Sequence, residues 1–290
     1  MNAPVLTIQS AVACGHVGNS GAEFALRRLG FPTVRIDTVQ FSNHPAHGGF
    51  RGGPVATAVL ADLLDGLTER GMLARCGAVL SGYLGTAGNA AVVETAVTRL
   101  RAAHGRAGEG AGAGTGIVFC CDPVLGDHPR GLYVRSEVPD AMRRLVALSD
   151  VAIPNRFELG FLTGRPVETV AEVAAAARAL AATGPALVVV TGVQAAGDLG
   201  ALAVTADRAW LSVAPYVDAP ASGAGDVFAA VFLARWLEKR DAARALSLAV
   251  SSIHAVIAAT AAASGDELAL IAAQDMLPAP SPIWPVQPVE

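Results

Sequence analysis

Short apolar runs alternate along this chain with longer stretches of helical periodicity, and this alternation constrains the fold more than any other feature. Turn residues bound the runs, which have the length of buried strands. The runs are Val5 to Ile8, Val34 to Val39, Ala78 to Leu80, Ile117 to Cys121, Val151 to Ile153 and Leu187 to Val190. Strands that alternate with helices form a mostly parallel sheet covered on both faces. The sequence therefore predicts an α/β fold of this kind.

The periodic stretches predict most of the helices. Ser20 and Glu23 have capping-box spacing at the start of the first helix, and Gly30 stands where a C-cap glycine belongs. Further helices are predicted at Ala56 to Arg70, Ala90 to Ala103, Val138 to Ala147, Val170 to Ala182, Asp226 to Glu238, Ala242 to Ala262 and Glu267 to Met276.

The chain of 290 residues fits one large domain. We expect this domain to cover residues 1–277, with residues 278–290 as an extended Pro-rich tail. The Gly/Ala-rich connection from Gly105 to Gly116 is typical of a flexible surface loop.

Composition excludes several classes of function. The net charge is -4 and no segment concentrates basic residues on one face, so a nucleic-acid partner is not expected. The apolar stretch from Leu248 to Ser264 is short and interrupted by polar residues, which favours a buried Ala-rich helix over a membrane span. Lys239 is the single lysine, which disfavours a Schiff-base enzyme and a Walker-type phosphate loop.

The cysteines and the N-terminal segment indicate a reducing compartment. Cys14, Cys76, Cys120 and Cys121 lack the spacing of metal-ligand pairs, and we interpret all four as structural thiols. A strand-like segment follows Met1 directly, without the features of a signal peptide, so we expect a cytoplasmic protein.

The strongest local motif is the turn from Ala221 to Asp226, which leads directly into a helical run. Its glycines, Gly223 and Gly225, let the backbone present successive N–H groups, and the helix start adds its positive dipole end. Such a turn suits a phosphate whose negative charge grows during transfer. Asp226 is then placed to accept the proton of an attacking hydroxyl. A helix cap after a glycine turn is an equally good interpretation of this segment alone.

Two further segments place carboxylates at strand ends. Asp122 ends one apolar run and Asp127 follows closely, while Asn155 and Glu158 follow another strand at a spacing that puts both on one helix face. Ligands of open α/β sheets bind at the carboxyl ends of strands. Asp122 and Glu158 could therefore hold Mg²⁺, directly or through water, against nucleotide phosphates. Surface turns and a helix cap would explain either segment taken singly.

Polar groups also follow the early strands. Ser10 follows the first, the run from Gln40 to His44 follows the second, and Tyr83 follows the third. Hydroxyl, imidazole and phenol groups gathered at strand ends suit a polar ring such as a substituted pyridine. Turn residues, a half-buried aromatic and a solvated histidine remain the alternative interpretation.

Taken in order, these motifs resemble the pyridoxal kinase family within the ribokinase superfamily. The resemblance extends from the first strand almost to Asp275, and its most specific part is Gln40-Phe41-Ser42-Asn43-His44. The other matching segments are Ile8 to Ser10, Gly15 to Asn19, Ser81 to Gly85, Cys121 to Val124, Pro154-Asn155 with Glu158, and Gly223 to Asp226.

The resemblance implies a ribokinase-like fold and transfer of the ATP γ-phosphate to the 5′-hydroxymethyl group of pyridoxal and related B6 vitamers. Asp226 would be the catalytic base, and Gly223, Ala224 and Gly225 would form the anion hole.

The resemblance also implies the roles of the remaining residues. Ser10, His44 and Tyr83 would contact the substrate ring, Asp122 and Glu158 would serve ATP and Mg²⁺, and Thr191 and the segment from Ala214 to Val217 would lie near the nucleotide. A cytoplasmic homodimer is expected, and a monovalent cation is compatible with the resemblance.

Two departures from the family pattern bear on these expectations. Pro45 stands where the family commonly has a threonine that assists substrate binding, which affects the expected vitamer preference. No lysine lies in the strand that holds Thr191, so phosphate neutralisation must come from Mg²⁺, an arginine or backbone donors. A kinase for hydroxymethylpyrimidine or a sugar, and a non-catalytic B6-binding protein, are the alternative functions.

Overall fold

The computed structural model describes residues 2–106, 116–263 and 265–290. The strands are β1 (Val5–Val12), β2 (Thr33–Phe41), β3 (Gly52–Pro54), β4 (Ala78–Ser81), β5 (Val118–Cys121), β6 (Gly126–Asp127), β7 (Gly131–Leu132), β8 (Val151–Ala152), β9 (Leu187–Ala195), β10 (Asp198–Val204), β11 (Ala209–Ala214) and β12 (Gln287–Pro288). The α-helices are α1 (Asn19–Arg28), α2 (Thr57–Glu69), α3 (Gly88–His104), α4 (Val138–Leu148), α5 (Arg156–Thr163), α6 (Val170–Ala181), α7 (Ala224–Lys239) and α8 (Ala242–Ala263). Most of the predicted loop from Gly105 to Gly116 lies outside the described residues.

The strands of the main sheet follow the order β12-β11-β10-β9-β8-β5-β4-β1-β2-β3. The pairings from β2 through β1, β4, β5 and β8 to β9 are all parallel, as the alternation of runs and helices predicts. Antiparallel strands extend the sheet at both edges. The sequence interpretation missed these edge strands, because β10 and β11 carry small residues and Gly200 in place of a continuous β-branched run.

Helices cover both faces of the sheet because successive strand residues point to opposite sides. Phe119 and Cys121 of β5 face the layer formed by α2 to α6, whereas Val118 and Cys120 face α1, α7 and α8. The predicted α/β architecture is therefore confirmed. In such a sheet the carboxyl ends of the parallel strands meet along one edge, where ligands bind.

Helix α8 is the one helix among the described residues that is long and apolar enough to cross a membrane by length and composition. Its buried residues, which include Leu246 and Val256, belong to the core beneath one face of the sheet. Contacts with α7 and β11 account for this burial. The prediction of a buried Ala-rich helix is confirmed in the structure.

Two local predictions are corrected. Helix α1 begins at Asn19 after Gly18 without a side-chain cap, because the Ser20 hydroxyl exchanges hydrogen bonds with the backbone of Val12 instead. Gly30 does adopt the positive φ of a helix end. The predicted helix from Glu267 to Met276 is a series of turns that ends in a single 3-10 turn at Gln274–Met276. Helix α5 was expected only from the spacing of Asn155 and Glu158, without a predicted range.

The C-terminal segment of residues 278–290 is extended but does not project from the fold. Strand β12 pairs with β11, and the backbone carbonyl of Trp284 accepts hydrogen bonds from the hydroxyls of Ser212 and Ser247. The indole of Trp284 packs against the core between the sheet and α8. These contacts join the segment to β11 and α8.

The cysteines are all free. Cys76, Cys120 and Cys121 are buried, and burial raises the pKa of each thiol, which fits inert structural residues. Cys14 is exposed, so the structural interpretation does not extend to it.

Candidate active site

Asp226 lies in the first turn of α7, directly after the glycine turn. Ala224 N–H donates to Ala221 O at 2.9 Å, whereas the N–H of Gly225 donates to no protein acceptor among the described residues. That free donor and the positive end of the helix dipole point toward the mouth of the turn. This arrangement suits a negatively charged ligand.

Gly223 is required at the start of α7 for two reasons. Its φ of 89° is in the left-handed region, which disfavours residues with a side chain. A Cβ at this position would also collide with the backbone carbonyl of His16. The loop from Gly15 to Gly18 therefore packs directly against the glycine turn.

Gly18 connects this loop to both Asp226 and the first strand. Its N–H lies near the Asp226 carboxylate and lowers the pKa of that group, and a Cβ on Gly18 would overlap Ser10. Ser10 lies within β1 near its carboxyl end, because the strand runs further than the sequence predicts. The structure thus brings Ser10, Gly18 and Asp226 together.

Two competing effects set the ionisation of Asp226. Burial raises its pKa to about 6, against the lowering effect of hydrogen bonds from the backbone N–H groups of Gly18 and of Asp226 itself. A carboxylate with this pKa is ionised at neutral pH and is a better proton acceptor than an ordinary aspartate. Asp226 therefore has the protonation state and basicity that a general base needs.

Asp122 and Glu158 form a second group of buried acids next to Asp226. Asp122 is 7% exposed and Glu158 is 2% exposed. Burial raises the pKa of Asp122, and the nearby charges of Glu158 and Asp226 raise it further. Burial likewise raises the pKa of Glu158. A cation would relieve the mutual repulsion of these carboxylates.

The two acids differ in how the protein holds them. Glu158 and Asn155 form a capping box at the start of α5, with a Glu158 N to Asn155 Oδ1 distance of 2.9 Å. The Glu158 carboxylate also accepts hydrogen bonds from the N–H groups of Asn155 at 2.8 Å and Leu125 at 2.9 Å. Among the described residues, no donor reaches the Asp122 carboxylate by a hydrogen bond. The Asp122 carboxylate is therefore free to bind a ligand, whereas backbone donors hold the Glu158 carboxylate in place.

The hairpin of β6 and β7 lies over these acids. Asp127 pairs with Arg130 in this hairpin, and the guanidinium of Arg130 lies 5.4 Å from the ring centroid of Tyr133. Burial raises the pKa of the Tyr133 phenol, and the charges of Glu158, Asp127, Asp122 and Asp226 add to this effect. Asp127 and Tyr133 are thus neighbours of the acids, and Arg130 contacts these two residues. The sequence singled out only Asp127, since nothing in a two-residue strand marks Arg130 or Tyr133.

His44 and Tyr83 approach the same hairpin from the other side. Burial lowers the pKa of His44 and the charge of Arg130 lowers it further. Burial raises the pKa of Tyr83, and the charge of Arg135 opposes that shift. Pro45 starts a short 3-10 turn whose N-cap is His44, with Ala46 N at 3.4 Å from His44 Nδ1. Pro45, which replaces the threonine common in the family, therefore fixes the backbone of the turn that follows the His44 imidazole.

An apolar cavity of about 230 Å³ opens beside the glycine turn. Thr191 of β9 and Val217 after β11 line it together with Ala224 and Gly225. Its other walls are mainly aliphatic or aromatic and include Leu199, Phe228, Val250, Ile253 and Ile257. A flat apolar ring could therefore lie in this cavity with a charged group at the helix start.

The predicted site residues thus fall into three connected groups along one edge of the sheet. Asp226 with its glycine turn lies at the centre, Ser10 reaches it through Gly18, and Thr191 and Val217 share a cavity with Gly225. His44 and Tyr83 are linked to the acids through the hairpin rather than by direct hydrogen bonds. The contribution of the Gly15 to Gly18 loop to holding Asp226 was not predicted, although its two glycines were a signal.

Comparisons with known proteins identify the family. A family profile described as pfkB family carbohydrate kinase matches residues 128–267. The chain is 43% identical to pyridoxal kinase PdxY of Rubrobacter xylanophilus over 98% of this chain and 97% of that protein. It is 39% identical to pyridoxal kinase PdxY of Deinococcus radiodurans over 99% of this chain and 96% of that protein.

Solved structures of pyridoxal kinases are also similar to this chain. The pyridoxal kinase of Leishmania donovani in complex with ADP and ginkgotoxin superposes with a TM-score of 0.91 at 31% identity, over 100% of both chains. The complex of that enzyme with ADP and pyridoxine superposes with a TM-score of 0.90 over 99% of each chain. The fold is ribokinase-like, and the chain belongs to the pyridoxal kinase family.

Proposed function

We propose that this protein transfers the γ-phosphoryl group of ATP to the 5′-hydroxymethyl group of pyridoxal and of related B6 vitamers. The observation that carries the proposal is the position of Asp226, a half-buried base at a helix start near a free backbone donor and two further carboxylates. A hydroxyl acceptor, a phosphoryl group and a cation each find a suitable partner there.

In this proposal Asp226 accepts the proton of the attacking hydroxyl. The base acts late, because bond formation to the acceptor lags in a loose phosphoryl-transfer transition state. The backbone N–H groups of Gly223 and Gly225, with the helix dipole, stabilise charge on the migrating group, whereas the Ala224 N–H donates to Ala221 O and shapes the turn. These donors are fixed before the reaction, since the turn is held by the His16 carbonyl contact.

The acids fit Mg²⁺ bound together with substrate phosphates. No group of three or more possible metal ligands is present among the described residues, so the protein offers no complete cage. Mg²⁺ is commonly held by one or two carboxylates plus phosphate oxygens and water. Asp122 would contact the ion and Glu158 would act through water, because its carboxylate accepts backbone hydrogen bonds. Bound Mg²⁺ would neutralise phosphate charge during transfer.

Substrate and nucleotide would enter from opposite sides of Asp226. Ser10, His44 and Tyr83 would surround the pyridine ring. Thr191 and Val217 would line the nucleotide side, in the cavity that opens at Gly225. Arg130, which pairs with Asp127 in the hairpin, is the arginine that we propose in place of the missing lysine. We also propose a cytoplasmic homodimer that a monovalent cation activates. Molecular mass in solution tests the dimer, and a comparison of K⁺ with Na⁺ tests the activation.

The function is tested by assaying the purified protein with ATP and Mg²⁺ against pyridoxal, pyridoxine, hydroxymethylpyrimidine and ribose. We expect phosphorylation of pyridoxal with the highest kcat/KM of the four. Higher kcat/KM for hydroxymethylpyrimidine or ribose would reassign the substrate within the same fold. Tight binding of pyridoxal without any ADP formation would favour a non-catalytic binding protein.

A further inference from the structure

Glu267, in the turns that follow α8, contacts two loops of the candidate site at once. Its Oε1 lies 3.2 Å from His47 Nδ1. The same carboxylate packs against the backbone of Gly15, where a Cβ would lie 2.6 Å from Oε2. Gly15 has a φ of 107°, in the region that favours glycine. Glu267 therefore lies between the turn that contains His47 and the loop that begins at Gly15.

Each of the two loops carries part of the candidate site. His47 ends the 3-10 turn whose N-cap is His44, and the two imidazoles meet edge to face with centroids 5.9 Å apart. The other loop continues to Gly18, whose N–H lies near the Asp226 carboxylate. One carboxylate thus joins the substrate side of the site to the loop that lies against the base.

Hydrogen bonds tie the 3-10 turn to the rest of the fold at a single point. None of its three residues is buried, and the two glycines that follow it are exposed. In the part of the chain that the structure describes, every hydrogen bond of residues 44–49 stays within residues 43–49, apart from the contact between His47 and Glu267. That contact is therefore the tether of the turn.

The tether is partly sheltered from water. The side chains of His47 and Glu267 are 25% and 28% exposed. A carboxylate oxygen only accepts, so we assign a hydrogen to His47 Nδ1, which donates to Oε1 whether the imidazole is neutral or charged. Hydrogen bonds to an ionised group are stronger than those between neutral groups, and partial burial strengthens them further. The contact therefore favours one position of an otherwise exposed turn.

We propose that Glu267 is a positioning residue for the substrate, and that through His47 it holds the His44 imidazole beside the pyridine ring. The inference rests on the proposed function, which places pyridoxal next to His44. Without the tether, the substrate must order the turn as it binds, and this ordering weakens binding. The chemical step should not change, because neither Glu267 nor His47 contacts the reacting groups.

The test measures KM for pyridoxal, KM for ATP and kcat in the parent protein and in variants of the tether. His47→Phe keeps a ring against His44 and removes only the donor. We expect it to raise KM for pyridoxal about tenfold, with kcat and KM for ATP within about twofold of the parent values. Glu267→Ala should raise KM for pyridoxal by a similar factor. Glu267→Gln should raise it less, because its amide oxygen still accepts the hydrogen bond.

Two further variants separate the tether from a general effect. In the double variant His47→Phe/Glu267→Ala the two losses should not add, because both substitutions break the same contact. Asp266→Ala is the matched control, since it removes an exposed acid next to Glu267 and should leave all three constants unchanged. His47→Phe alters a residue that is not part of the core, so it decides the test if Glu267→Ala does not fold.

A second readout does not depend on turnover. Hydrogen–deuterium exchange of the amides of residues 44–49 should be faster in His47→Phe and Glu267→Ala than in the parent and in Asp266→Ala, at the parental Tm. Unchanged exchange, additive losses in the double variant, or a fall in kcat with KM for pyridoxal unchanged would overturn the proposal. If the parent phosphorylates no B6 vitamer, the proposed function is wrong, while exchange in the turn still tests the tether.

Discussion

The backbone N–H of Gly18 lies close enough to the carboxylate of Asp226 to lower its pKa, across the gap between the first strand and the seventh helix. A loop of the N-terminal half of the chain thus holds the candidate base of the C-terminal half. The same glycine lies against Ser10, so movement of this loop would displace a substrate-side residue and the base together.

Activity should depend on the ionisation of Asp226. Its pKa is about 6 in the folded protein, and the base works only when ionised. We expect kcat/KM to fall about tenfold per pH unit below pH 6 and to level off above pH 7. Pyridoxal and pyridoxine ionise differently. If kcat/KM falls at the same acidic pH with both substrates, the ionising group therefore belongs to the enzyme. An acidic limb that moves with the substrate would contradict this assignment.

Replacement of Asp122 by asparagine should stabilise the folded protein and impair its use of Mg²⁺ and ATP. The raised pKa means that the folded protein binds this proton more tightly than the unfolded chain, so stability falls as pH rises from the ordinary pKa of about 3.9 toward the raised value. Asp122→Asn removes this loss, and we expect a gain of about 1 kcal/mol, or 2–4 °C in Tm, at pH 8 but little at pH 4.

The same Asp122→Asn variant should need more Mg²⁺ and ATP for half-maximal rate. Thermal unfolding at both pH values and Mg²⁺ titrations check the two parts separately. A variant that is less stable than the parent at pH 8 would show that the Asp122 carboxylate has a stabilising partner that the structure does not contain. Unchanged Mg²⁺ and ATP requirements would contradict its role as a ligand.

Gly223 and Gly225 should respond differently to alanine. At Gly223 a Cβ meets the His16 carbonyl and the φ is 89°, so Gly223→Ala should cost about 2 kcal/mol or more and lower kcat. At Gly225 a Cβ meets no atom within 4 Å, so the fold should tolerate alanine. Because Gly225 lines the nucleotide cavity, Gly225→Ala should raise KM for ATP at unchanged Tm. Equal stability of the two variants would argue against a rigid turn.

The sequence predicts the central sheet and most of the helices because their signals are local. Buried parallel strands are continuous apolar runs, and Asp122 and Asp226 stand at run and helix boundaries that can be recognised without a structure. The sites of Arg130, Tyr133 and Glu267 could not be predicted in this way. Arg130 and Tyr133 lie in or beside a hairpin with two-residue strands, and Glu267 lies in the turns that follow α8. Their importance comes from tertiary neighbours, which no periodicity records.

Trp284 should contribute to stability and its neighbour Ile283 should not. The Trp284 indole packs into the core, whereas Ile283 is 59% exposed. Trp284→Ala should therefore lower the free energy of unfolding by about 3 kcal/mol or more, and Ile283→Ala by less than about 0.5 kcal/mol. Denaturant unfolding of both variants gives the comparison. A small effect at Trp284 would mean that residues 278–290 form a separable tail after all.

The most direct measurement for the whole account is the kinetics of Asp226→Asn beside equilibrium binding of ATP and pyridoxal to the same variant. Asparagine keeps the shape of the side chain and removes its basicity, so kcat should fall by about 10²–10⁴. Both dissociation constants should stay within about threefold of the parent values. A kcat within about threefold of the parent, or a loss of rate fully explained by weaker binding, would contradict the claim that Asp226 accepts the proton of the attacking hydroxyl.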